Sequence, residues 1–109
     1  MERLKISSES AETCEAMKGL VEEARKTVRE FDRGPVRDAA LIIGAQKIEH
    51  YEIAVYGSLC ELADVLGEDR ICDLLEKTLI EEKQTDEKLS DIAQDVNDEA
   101  FEMAERENA

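Results

Sequence analysis

Two long apolar stripes, mirrored about one glycine, constrain this chain more than any other feature. The first runs Leu41, Ala45, Ile48, Glu52, Val55, Leu59, Leu62, Leu66, and the second Ile71, Leu75, Leu79, Glu82, Asp86, Leu89, Ala93, Val96. Steps of three and four residues mark one face of an α-helix. Gly67 separates the stripes, and a connection this short between long helices makes them antiparallel neighbours. Each stripe carries acid where the face should be apolar. Glu52 lies fifteen residues before Gly67 and Glu82 fifteen after it. In an antiparallel pair both carboxylates sit at one level, about 22 Å from the turn at about 1.5 Å per residue. Carboxylates gathered inside a helical bundle are costly unless a cation or a proton neutralises them.

The spacing predicts three helices. The first spans about 10–32, with Met17, Leu20, Val21, Ala24, Val28 and Phe31 on one face and Ser10 as N-cap, after an irregular lead over 1–9. Gly34 and Pro35 punctuate the chain, and proline suits the first turn of a second helix reaching Leu66. Gly67 fits a left-handed C-cap. The third helix runs from about Asp69 to near Glu105, with acid in its first turn, where the helix dipole favours it. The expected class is all-α, and 109 residues make one domain over 1–109. Ile42, Ile53 and Cys60 widen the stripe of the second helix beyond one seam, so a further helical surface is expected to cover it, either the first helix or another subunit.

On a wheel of about 100° per residue, Glu49 lies about 60° from Glu52, and Asp86 about 40° from Glu82. Glu49, Glu52, Glu82 and Asp86 are therefore the candidate metal ligands, with Tyr56 and Thr85 as supporting neighbours. Carboxylate oxygens suit iron, manganese and zinc. Carboxylate-bridged dinuclear centres in bundle cores also place a His three residues after a Glu; here Thr85 stands three after Glu82. His50, the sole histidine, falls about 160° from Glu52 and is expected at the surface or a subunit contact.

The net charge of −14 opposes binding to nucleic acid or anionic membranes. No apolar run is long enough to span a bilayer, and no signal peptide is apparent, so a cytoplasmic location is expected. Cys14, Cys60 and Cys72 read as reduced thiols, with Cys60 and Cys72 near enough to the turn to approach each other. No phosphate loop, nucleophile elbow or Cys–His pairing points to an enzyme class.

Several segments resemble the YciE/YciF family of bacterial ferritin-like, stress-associated proteins. They are Cys14-Glu15-Ala16-Met17-Lys18-Gly19-Leu20, Gly34-Pro35-Val36-Arg37-Asp38-Ala39-Ala40-Leu41, Glu49-His50-Tyr51-Glu52-Ile53-Ala54-Val55-Tyr56-Gly57, Leu66-Gly67-Glu68 and Glu81-Glu82-Lys83-Gln84-Thr85-Asp86-Glu87-Lys88-Leu89. The resemblance implies a ferritin-like four-helix bundle with a dinuclear metal site, and no settled activity. Usual members carry a further helical hairpin ahead of the segment that begins here near Cys14. The expectation is that two chains replace it as a homodimer, whose two-fold axis gathers the acids of both copies. The alternative is a metal-free helical assembly or interaction protein that keeps the scaffold.

Overall fold

The computed structural model describes residues 14–107, and among them every regular element is helical. They are α1 (Glu15–Glu30), α2 (Pro35–Val65) and α3 (Asp69–Glu107). This is the antiparallel hairpin with one N-terminal helix that the sequence predicts. The array is elongated, 64 × 28 × 14 Å. α2 lies between the other two: it packs against α3 along the hairpin and against α1 on another side, while α1 and α3 do not meet. The composition of α2 explains its central place. Its apolar residues, Leu41, Ile42 and Ile43 in succession, ring the helix, whereas α1 and α3 are apolar on one side.

The turn forms as expected. Gly67 has φ 73°, its N–H donates to the Asp64 carbonyl at 3.0 Å, and the Glu68 N–H donates to Ala63 O at 2.9 Å. These two bonds make a Schellman motif, which satisfies carbonyls that a helix end otherwise leaves open. At the start of α2, Gly34 is the N-cap with φ 150° and Pro35 follows it. The first helix is shorter than expected. Cys14 has extended backbone and caps α1 through its Sγ, which accepts the Met17 N–H at 3.5 Å. The expected N-cap Ser10 and the lead over 1–9 lie outside the described residues. At its other end α1 stops at Glu30, because Phe31 is extended.

Two polar contacts link α1 and its cap to α2 beside the half-buried apolar face of Met17, Leu20, Val21 and Ala24. The Cys14 thiol and the Tyr51 hydroxyl hydrogen-bond at 2.9 Å, and Lys47 Nζ pairs with Glu23 Oε2 at 3.3 Å. Tyr51, which looks off-axis beside the α2 stripe, is thus the hydrogen-bond partner of the α1 cap.

The hairpin does not enclose its apolar surface. Ala63, at 5% exposure, is the one buried apolar residue among those described. On α3 the expected stripe turns inward: Leu75, Leu79, Glu82, Asp86, Leu89, Ala93 and Val96 are all half-buried. On α2 the stripe parts from expectation beyond Glu52. Ala63 and Cys60 face α3, while Val55, Leu59, Leu62 and Leu66 are exposed, Leu62 at 58% and Leu66 at 75%.

Candidate metal centre

Glu49 and Glu52 project from the middle of α2, and Glu82 meets them from α3. One carboxylate oxygen from each lies within 4.8 Å of the others, and all three residues are half-buried. The helical repeat places Glu49 and Glu52 on one face, three residues apart. The equal spans from Gly67 bring Glu82 to their level.

The electrostatics are those of crowded like charges. The carboxyl of Glu52 is held above its ordinary value by burial, then by a hydrogen bond with Glu82 and repulsion from its charge. Glu82 is raised by its hydrogen bond with Glu49, then by burial, with smaller repulsion from Glu49 and Glu81; the hydrogen bond with Glu52 opposes this. Glu49 Oε2 is buried without a hydrogen-bond partner. A buried carboxylate oxygen with no donor is unfavourable, and three acids sharing one pocket lower their energy by sharing a proton or a cation.

Asp86 is not brought into this cluster. Its Oδ2 lies 2.9 Å from His50 Nε2, and its Oδ1 accepts from Gln46 Nε2 at 3.4 Å. The same Gln46 amide donates to Ser90 Oγ at 2.9 Å. Asp86 stands four residues beyond Glu82, at the height of Glu49 and His50, and it turns to His50 rather than into the cluster. His50 is exposed, as expected, but it belongs to this neighbouring polar group. Thr85 is also displaced from its expected place: it is exposed, and its Oγ1 donates to Glu81 O of its own helix at 3.0 Å. Tyr56 is half-buried one turn along α2 from Glu52.

The residues present fit a hard or borderline divalent ion. They offer an all-oxygen donor set, a net negative charge and an unpaired buried oxygen. Bundle carboxylate centres draw ligands from four helices, and in such a centre α2 and α3 would supply two of the four.

Comparison with known proteins places this geometry in a family. The chain is 55% identical over 80 residues to Protein YciF of Escherichia coli (strain K12), an alignment covering 73% of this chain and 48% of that protein. It superposes on the crystal structure of the E. coli stress protein YciF with a TM-score of 0.83 at 48% identity, covering 90% of this chain and 60% of that one. The chain thus spans about half the length of the curated relative it matches. Residues 2–102 match the family described as Domain of unknown function (DUF892). The resemblance drawn from sequence segments holds across the molecule: this chain belongs to the YciE/YciF family, DUF892.

Proposed function

We propose that this protein is a stress-associated, metal-binding member of its family, in which two copies of the α2–α3 hairpin complete a four-helix bundle around divalent cations. The observation that carries this reading is the meeting of Glu49, Glu52 and Glu82 carboxylate oxygens within 4.8 Å. The unpartnered Glu49 Oε2 and the raised Glu52 and Glu82 carboxyls support it, since a cation would relieve all three. Iron, manganese and zinc match the donor set. The exposed α2 stripe, with Val55, Leu59 and Leu62, supports the dimer: it is an apolar surface of the kind that partner helices cover. A second copy would also bring a second set of the same acids.

A metal-free assembly is the second reading, favoured by the close approach of the same three carboxyls, which one shared proton suffices to hold. The two readings separate in metal analysis by inductively coupled plasma mass spectrometry. Protein purified without chelator, and reloaded with Fe²⁺, Mn²⁺ or Zn²⁺, is expected to retain metal, and the Glu52→Gln/Glu82→Gln variant to lose it. Absence of retained metal in the parent protein, with the fold intact by circular dichroism, rejects the metal reading in favour of the second.

A further inference from the structure

Apart from the acidic cluster, the hairpin holds a second reactive pair close to its turn. Cys60 on α2 and Cys72 on α3 place their Sγ atoms 3.0 Å apart. Each thiol also lies 3.4 Å from the other residue's carbonyl oxygen, so the pair faces inward between the helices. Both cysteines are reduced and half-buried. We propose that Cys60 and Cys72 form a peroxide-oxidisable dithiol, a modification site that closes into a disulfide bridging α2 and α3.

The geometry needs little change. A disulfide bond is about 2.04 Å long, so the sulfurs approach by about 1 Å, within the reach of side-chain torsions. The turn supports this closure: the Gly67 Schellman motif already holds the ends of α2 and α3 together. The oxidant is a hydroperoxide, hydrogen peroxide in the simplest case. With Cys60 taken as the first to react, its sulfur gives up its proton and attacks one peroxide oxygen. The O–O bond breaks, and the departing hydroxide takes up the proton that Cys60 gave up and leaves as water. Cys60 is then a sulfenic acid. The Cys72 sulfur attacks the Cys60 sulfur, the S–O bond breaks and the S–S bond forms, and hydroxide leaves with the Cys72 proton as a second water. Two thiols and one peroxide thus give one disulfide and two waters, with two electrons passing from sulfur to oxygen.

The Cys72 thiol is pushed up to about 11, first by its hydrogen bond with Cys60, then by burial and the nearby Cys60, Asp64 and Glu76. Cys72 therefore holds its proton firmly, and the 3.0 Å separation of the sulfurs places it to resolve a sulfenic acid formed on Cys60. Cys14 is exposed and stands at the start of α1, away from the pair, so it is a competing thiol and not a resolving partner.

The test uses full-length Cys14→Ser protein, reduced, freed of reductant, exposed to equimolar hydrogen peroxide and then alkylated with iodoacetamide after denaturation. Intact mass is expected to show the loss of two hydrogens and no alkylation, with a peptide linking Cys60 to Cys72 after proteolysis. Treatment with dithiothreitol is expected to restore both alkylation sites. In the Cys14→Ser/Cys72→Ser protein, Cys60 is expected to stop at the sulfenic acid and to be trapped by dimedone. Two alkylated thiols, a sulfinic acid, or a disulfide joining two chains would overturn the proposal. No dimedone adduct at Cys60 in that variant would overturn the sulfenic acid step.

Discussion

His50 Nε2 lies 2.9 Å from Asp86 Oδ2, joining α2 to α3 beside the acidic cluster at the height of Glu49. This contact takes Asp86 out of the carboxylate set to which its helical position assigns it. With Gln46 on its other oxygen, Asp86 has hydrogen-bond partners of its own and does not need a cation. The expected outcome is that Asp86→Asn leaves metal affinity within about twofold of the parent, whereas Glu52→Gln or Glu82→Gln weakens it by about tenfold or more, a difference of about 1.4 kcal/mol. Isothermal titration with Mn²⁺ or Zn²⁺ on the three variants measures it. The His50 side chain is 66% exposed, so His50→Ala should cost less than about 1 kcal/mol of stability.

The acidic cluster also sets a pH dependence. The Glu52 and Glu82 carboxyls are raised in the folded chain, so the folded state binds more protons than the unfolded one above the ordinary carboxylate value of 4.5. Metal-free protein should lose stability as pH rises from that value through the raised ones, and the loss is complete above them. Bound metal reverses the trend, because the cation competes with the protons and stabilises the deprotonated acids. Melting curves in chelator should therefore give a higher contribution to Tm from this cluster at about pH 5 than at about pH 7.5. Adding Mn²⁺ should raise Tm most at the higher pH. The Glu52→Gln/Glu82→Gln protein, carrying neither carboxylate, should flatten both responses.

Much of this arrangement is legible in the residue spacing, and the rest is hidden for separate physical reasons. Gly67 announces the turn because a left-handed C-cap favours glycine, and its φ of 73° bears that out. Glu52 and Glu82 are legible as a pair because equal spans from one turn place two residues at one height. A helical wheel of one helix groups Asp86 with Glu82 by angle and does not show the partners that α2 offers Asp86, His50 and Gln46. It hides the His50–Asp86 contact too, since His50 appears opposite Glu52 in angle. The cap of α1 escaped for another reason. Cysteine is a weak acceptor and an unusual N-cap, and Ser10 offers the stronger signal. The α2 stripe was legible as apolar, but periodicity does not say what covers a stripe, and Val55, Leu59 and Leu62 lie outside the α2–α3 seam.

The turn offers a test of the hairpin that is independent of metal. Nothing lies within 4 Å of a Cβ placed on Gly67, so Gly67→Ala adds no clash and acts through the backbone alone. A left-handed conformation costs an alanine about 1–2 kcal/mol. Gly19 in α1 is the opposite case: it too has open space around a Cβ, but it sits within a helix. Gly19→Ala should stabilise by about 0.5–1 kcal/mol. Urea unfolding of the two variants is expected to move the midpoint in opposite directions at unchanged slope.

The exposed α2 stripe gives the last prediction, on assembly. Leu59 and Leu62 are 43% and 58% exposed and lie beside Val55, with exposed Leu66 continuing the same face. A hairpin with so few buried apolar residues gains little stability from its own interior, and covering a leucine contributes about 1.5–3 kcal/mol. If two hairpins share this face, each leucine counts twice across the two-fold axis, and its replacement by a charge places two like charges in one apolar interface. Light scattering coupled to size exclusion should give twice the chain mass for the parent protein at micromolar concentration. Leu59→Lys/Leu62→Lys should shift the mass to that of one chain and lower Tm. Lys47→Ala, on the side of α2 that pairs with Glu23 of α1, should leave the mass unchanged. A parent protein that elutes as a folded single chain would show that the stripe is not a dimer interface, and the four-helix reading of the metal centre would fail with it.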